Sequence, residues 1–252
     1  MTALGAGHGP SNGAGGDYLS LLKQVLMGAM FLDDEEGRAR ILAGKSTKAA
    51  FTLIGQKRLD SLEEQIRRVM DDGIAGDLIE AGVWRGGACI FMRGVLRTLG
   101  DAQRTVVVAD SFQGLPRPDV ATYPTDEGDT HYLRPELRVD QHAVARNFRR
   151  FGLLDDQVEF VPGWFRDTLP TLQGRRWSLV RLDGDMYESV ILGLRHLYPG
   201  LSPGGYLIAD DYGDPGKVLQ AKKAVDDYRA EQEITEGIEW IDERAISWRK
   251  SA

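Results

Sequence analysis

Two apolar pentads that each stop at carboxylates constrain this chain more than any other feature. Ser178-Leu179-Val180-Arg181-Leu182 runs into Asp183-Gly184-Asp185, and Gly205-Tyr206-Leu207-Ile208-Ala209 runs into Asp210-Asp211. A short apolar run that ends at an acid reads as a strand buried in a parallel sheet, with its functional end exposed. Between the two lie a helical stretch, from about Ser189 to Leu197, and a Ser202-Pro203-Gly204-Gly205 turn. Strand, helix and strand in that order make parallel strands close together in one sheet. Asp183, Asp185, Asp210 and Asp211 then converge on one sheet edge. Carboxylates crowded in this way repel one another unless a cation neutralises them. An all-oxygen set of modest size suits magnesium.

The same grammar extends upstream and downstream. Leu78–Val83 reads as a first strand, Trp84-Arg85-Gly86-Gly87 as a turn and Ala88–Leu99 as a helix. Thr105–Ala109 is a second strand that ends in Asp110-Ser111, and Val158–Val161 a third. Asp140 sits where an N-cap belongs, before a helix to about Arg150. Ala221–Ala230 has helical character, and Gly237–Ile241 with Ala245–Arg249 reads as an antiparallel hairpin at the sheet edge. The fold class is therefore α/β, with a mostly parallel twisted sheet and helices on both faces.

Three regions divide the chain. Residues 1–16, rich in Gly, Ala, Ser and Asn, are expected to be a disordered tail. Residues 17–72 form a helical N-terminal extension: a helix over Asp17–Met30, a polar stretch to about Lys48, then a helix over Gln56–Asp71. Residues 73–252 make the α/β domain. Inside it, Gln113–Val139 is a long polar stretch of the kind that serves as a lid or binding loop or is disordered. His131, Tyr123 and Tyr132 are its candidate substrate contacts, whereas His142 falls on a helix and reads as a surface residue.

Charge and cysteine content remove several classes. At −7 the chain is a poor match for a phosphate backbone, and acidic residues flank Arg67-Arg68, Arg149-Arg150 and Arg175-Arg176. Nucleic acid is not an expected partner. The single cysteine, Cys89, lies in the apolar run Ala88–Met92 and reads as a small buried hydrophobe. A disulfide within the chain is impossible, which fits a reducing compartment and a cytoplasmic location. No stretch is apolar and long enough for a membrane span, and no signal pattern opens the sequence.

A cofactor signal sits at the first strand. Glu80-x-Gly82-x-x-x-Gly86-Gly87 places glycines between strand and helix, where a ligand can approach the backbone and the helix N-terminus. The spacing is not the dinucleotide fingerprint, which opposes a nicotinamide oxidoreductase. An acid at the first strand end suits a cation, and a sulfonium cofactor with an α-amino group suits Glu80. Asp110, at the second strand end, is placed for ribose hydroxyls. Together these favour S-adenosylmethionine.

These stretches closely resemble the macrocin O-methyltransferase family, S-adenosylmethionine- and magnesium-dependent enzymes that methylate sugar hydroxyls of bacterial natural products. The matching motifs are Ile54-Gly55-x-Lys57-Arg58-Leu59, Gly82–Ile90, Ala109–Pro116, Gly152–Val158, Pro162–Pro170, Leu182-Asp183-Gly184-Asp185-x-Tyr187-Glu188-Ser189 and Asp210-Asp211-Tyr212. The resemblance spans roughly Ala50 to the C-terminus and is similar to the mycinamicin, tylosin and novobiocin pathway enzymes. It implies a Rossmann-like class I methyltransferase. It further implies metal binding by Asp183, Asp210 and Asp211 and proton abstraction by Asp185. Cofactor binding falls to Glu80, Gly82, Gly87, Asp110, Ser111 and Asp183, with Gly163-Trp164-Phe165 bordering the adenine. A glycosylated small-molecule acceptor and a homodimer or larger homo-oligomer are implied as well. Two departures stand out: Ala81 replaces the family's usual Thr, and Pro118–Val139 matches poorly, which leaves the acceptor open. A phenolic or catechol O-methyltransferase would use the same carboxylates. A non-catalytic binder of the same fold has no need to keep all of them.

Overall fold

Alternation along the strands decides which layer each side chain joins. The computed structural model describes residues 14–32, 34–42, 49–213 and 220–251. Its strands are β1 (Asp77–Ala81), β2 (Val106–Asp110), β3 (Val158–Pro162), β4 (Trp177–Leu182), β5 (Leu201–Ala209), β6 (Glu239–Trp240) and β7 (Ile246–Arg249). They form one sheet in the order β3-β2-β1-β4-β5-β7-β6. All neighbours are parallel except β5 with β7 and β7 with β6, so the terminal hairpin is antiparallel and lies at the edge, as the sequence predicts. Chain order runs outward from β1 to β3 on one side and from β4 to β5 on the other. The crevice at the carboxyl ends of β1 and β4 is thus the switch point, where ligands bind in open α/β sheets.

Leu78, Val106, Val108, Leu179 and Ile208 face one layer of helices: α1 (Ala14–Met27), α2 (Glu35–Leu42), α3 (Gln56–Asp71), α4 (Gly87–Thr98) and α5 (Gln141–Arg150). Ile79, Ala81, Val107, Ala109, Val180, Leu182, Leu207 and Ala209 face the other, which contains α7 (Tyr187–Leu197) and α8 (Gln220–Glu231) and the residues just after α6 (Phe165–Thr168). By the same alternation Glu80, Arg181 and Asp210 belong to the α3–α4 side. Among the described residues no helix is long and apolar enough to cross a membrane.

Some expectations need correction. The tail assigned to residues 1–16 lies outside the described residues up to position 13, and residues 14–16 open α1. The polar stretch after Met30 contains α2, a helix with one buried residue, Ile41, and thus too few apolar positions to show a period. Glu35 and Glu36 in its first turn and Arg40 in its last suit the helix dipole. Ser202–Gly205 is not a turn but part of β5. Trp177 pairs with Leu201 and Leu179 with Tyr206, so five steps of β5 span two of β4, and the surplus is a bulge with Gly204 at φ 84°.

The long loop after β2 is held in place. Its short 3-10 turns carry Asp126, which is fully buried and accepts hydrogen bonds from the backbone N–H groups of Tyr187 (2.7 Å) and Glu188 (2.9 Å). Asp126 therefore caps α7 from 61 residues away, where the N-cap residue Met186 supplies no side-chain bond. The Trp84 indole also donates to the Glu136 carbonyl at 2.8 Å.

Candidate active site

A cleft opens at the switch point. Gly82, Trp84, Asp110, Ser111, Trp164, Asp183 and Asp185 line it, with Leu53 reaching in from the segment before α3. The N-terminal extension therefore contributes to the wall, and Arg85 Nη1 ties it down through the Ala50 carbonyl at 2.6 Å.

At the β4 and β5 ends, ligand atoms of Asp183, Asp210 and Asp211 lie within 4.8 Å of one another. Burial and mutual repulsion push the Asp183 carboxyl up to about 7 and hold Asp211 well above the usual carboxylate range. Asp185 stands beside them. Its backbone is left-handed at φ 56°, its N–H donates to Asp211 Oδ2 at 3.3 Å, and burial raises its pKa. The charge nearest in effect to Asp185 is His131, whose Nδ1 is 2.8 Å from Asp129 Oδ2. Asp129 raises the His131 pKa. Tyr123 packs on the Tyr187 ring at 6.1 Å, and His142 is exposed.

Two arginines already occupy this cluster. Arg181 is 2% exposed and is the cross-strand partner of Glu80. Its guanidinium binds Glu80, Asp183 at 2.9 Å and Asp210 at 2.5 Å. Arg58, from α3, binds the other oxygen of Asp210 at 2.5 Å and Asp242 at 2.6 Å. Part of the neutralisation that the sequence assigns to a metal therefore comes from the chain itself. The single arginine inside an apolar strand was the available signal for it, since a cation is seldom buried there unless paired.

Glu80 is held inside this arrangement. It is 2% exposed, forms no part of the cleft wall, and has both oxygens engaged, one by Arg181 and one by the Cys89 thiol at 2.7 Å. Burial raises the Glu80 pKa, and burial together with Glu80 raises that of Cys89, so the thiol stays protonated and donates. Cys89 is buried as expected, but as a hydrogen-bond donor. Gly87 and Gly163 also lie outside the wall. A Cβ at Gly87 would meet the Phe51 carbonyl oxygen at 2.4 Å, and one at Gly82, with φ 93°, would meet the Asp183 carbonyl oxygen at 1.9 Å. These glycines admit neighbouring backbone, a packing demand that their spacing alone does not separate from ligand approach.

Asp110 does reach the cleft. Its oxygens accept from the N–H groups of Val83 and Phe112, each at 2.7 Å, so the β1 and β2 ends are laced together. Ser111 Oγ donates to the Gly114 carbonyl at 2.6 Å.

The profile of the macrocin-O-methyltransferase (TylF) family matches residues 33–250. The chain belongs to this family. It is 43% identical to a tetracenomycin-C-rhamnosyl 4'-O-methyltransferase of Streptomyces olivaceus, with 93% of each chain covered. It is 42% identical to mycinamicin III 3''-O-methyltransferase of Micromonospora griseorubida, over 93% of this chain and 96% of the relative. The solved O-methyltransferase NovP superposes with a TM-score of 0.87 at 42% identity, covering 94% of this chain and 100% of that one. Membership in the macrocin-O-methyltransferase family makes the chain an O-methyltransferase of class I architecture, as its sheet order and resemblance predict.

Proposed function

We propose that this O-methyltransferase transfers the methyl group of S-adenosylmethionine to a sugar hydroxyl of a glycosylated natural product, with magnesium assistance. One observation carries the metal reading: three carboxylates, with ligand atoms within 4.8 Å of one another, stand at the strand ends bordering the cleft. All donors are oxygen, which fits a hard divalent cation. Asp183, Asp210 and Asp211 would hold it. The names of the similar enzymes, which act on a rhamnosyl tetracenomycin and on mycinamicin III, support a glycosylated acceptor.

When bound, S-adenosylmethionine supplies an electrophilic methyl group, and magnesium orients the acceptor hydroxyl and lowers its pKa. The chain's own residues do the rest. Gly82, Asp110 and Ser111 hold the ribose side of the donor, and Trp164 walls its base. Asp185 would accept the acceptor hydroxyl's proton on a carboxylate oxygen as the hydroxyl oxygen attacks the methyl carbon in line and the methyl–sulfur bond breaks, with S-adenosylhomocysteine leaving. Burial raises its proton affinity above that of an ordinary aspartate, which suits a base working near neutral pH. Arg181 and Arg58 fix the Asp210 carboxylate. Glu80 holds Arg181 in turn. The loop pinned by Asp126 lines the cleft through Leu115, Pro116 and Leu137.

Methyl transfer from labelled S-adenosylmethionine to a panel of deoxysugar-bearing macrolides and aromatic polyketide glycosides tests the proposal. Activity on glycosides that is lost in chelator and restored by magnesium supports it. Transfer to catechols with none to glycosides overturns the acceptor, and full activity in chelator removes the metal.

A further inference from the structure

Glu188 is a buried carboxylate in the cleft wall with half of its bonding capacity unused. It is 4% exposed and lines the cleft beside Trp164, Phe165 and Leu192. Its Oε1 lies 4.0 Å from Nη1 of the half-exposed Arg166, at the rim. Its Oε2 is buried with no hydrogen-bond partner among the described residues. An unpaired buried acceptor is costly, and native proteins leave few of them outside functional sites. The position of Glu188 is fixed, since its own N–H is held by the buried Asp126.

From this we infer that Glu188 is the hydrogen-bond acceptor for the exocyclic amine of the cofactor's adenine. The inference rests on the donor reading above. With the ribose at Asp110 on β2 and the methyl group directed to Asp183–Asp185 just after β4, the base lies toward the segment that follows β3. Trp164 and Phe165 belong to that segment, and Glu188 leans against it from α7 through Arg166. Two aromatic rings and a leucine make a wall for a flat heteroaromatic ring. A carboxylate there offers acceptors only, so it selects a ring that carries an N–H donor at its edge. Burial raises the Glu188 pKa and Arg166 opposes the rise, so an amine donor completes a site whose anion is otherwise under-solvated.

The test is calorimetric binding of S-adenosylhomocysteine and of S-inosylhomocysteine, in which a keto oxygen replaces the amine. Wild type is expected to prefer the adenosyl compound by about tenfold or more, the size of one hydrogen bond to a charged group. Glu188→Leu should weaken the adenosyl compound by a similar factor and leave the inosyl compound nearly unchanged. Glu188→Gln carries an amide that can donate to the keto oxygen, so it should bind the inosyl compound about tenfold tighter than wild type does. Misfolding cannot imitate that gain. An unchanged preference in Glu188→Gln overturns the assignment of Glu188 and leaves the donor reading standing. Wild type that binds neither compound overturns both.

Discussion

Replacing Arg181 by methionine removes the one guanidinium that touches Glu80, Asp183 and Asp210 together. Glu80, Arg181 and Asp210 are each no more than 4% exposed, and Asp183 is half-buried, so water cannot fully compensate. Three hydrogen bonds between charged groups, at about 1.5–3 kcal/mol each, set a ceiling of roughly 4.5–9 kcal/mol. The orphaned carboxylates lower that sum by taking up protons, and breaking one buried ion pair costs about 3–5 kcal/mol. We expect a loss of about 4 kcal/mol at pH 8 in urea-unfolding experiments on Arg181→Met. The sign of the pH effect follows from linkage. A carboxylate whose folded pKa lies above its unfolded value binds more protons when folded, so stability falls as pH rises between the two values. Glu80 and Asp183 are already raised in the wild type, Asp183 from 3.8 to about 7, and losing the arginine raises them further. The deficit of Arg181→Met relative to wild type should therefore shrink at pH 6, by about 1.4 kcal/mol for each pH unit over which one further carboxyl stays protonated. Glu80→Gln combined with Arg181→Met should cost less than the sum of the two single changes. A deficit below about 1 kcal/mol at pH 8, or one that grows on acidification, would refute the reasoning.

Asp185→Asn should keep S-adenosylhomocysteine affinity by calorimetry while turnover drops about 10²–10⁴-fold, and near-normal turnover removes Asp185 from the base role. Metal binding should weaken as pH falls through about 7 and release protons, because Asp183 and Asp211 must ionise to bind a cation. Manganese titrations followed by electron paramagnetic resonance at pH 6 and pH 8 check this, and a pH-independent affinity contradicts it. Arg58→Gln frees one oxygen of Asp210 and leaves Asp242 without its cation. Manganese affinity should drop about tenfold or more while circular dichroism stays native, and unchanged affinity denies Arg58 a positioning role.

Local pattern carried the sheet because each buried strand is a short apolar run whose ends are marked by acids or turns. The sequence thus places Asp110, Asp183, Asp185, Asp210 and Asp211 at strand ends. It also read α3 to the residue, since Leu59, Leu62, Ile66 and Val69 repeat at helical spacing and all are buried. It missed α2, where one buried residue makes no period, and read the β5 bulge as a turn because Pro203 and Gly204 look alike in either setting.

By itself, then, the sequence determined the layer order, the strand ends and the family, all of which depend on neighbours a few residues apart. Only the tertiary structure decided which partner each buried carboxylate meets. Register places Arg181 beside Glu80, 101 residues away. Asp210 is clamped by Arg58 across 152 residues, and α7 is capped by Asp126 across 61. Hydrophobic periodicity tells which face a side chain joins but not which charge waits there. That partner is fixed when separate elements pack, and at this sheet edge it is one arginine for Glu80, Asp183 and Asp210 alike.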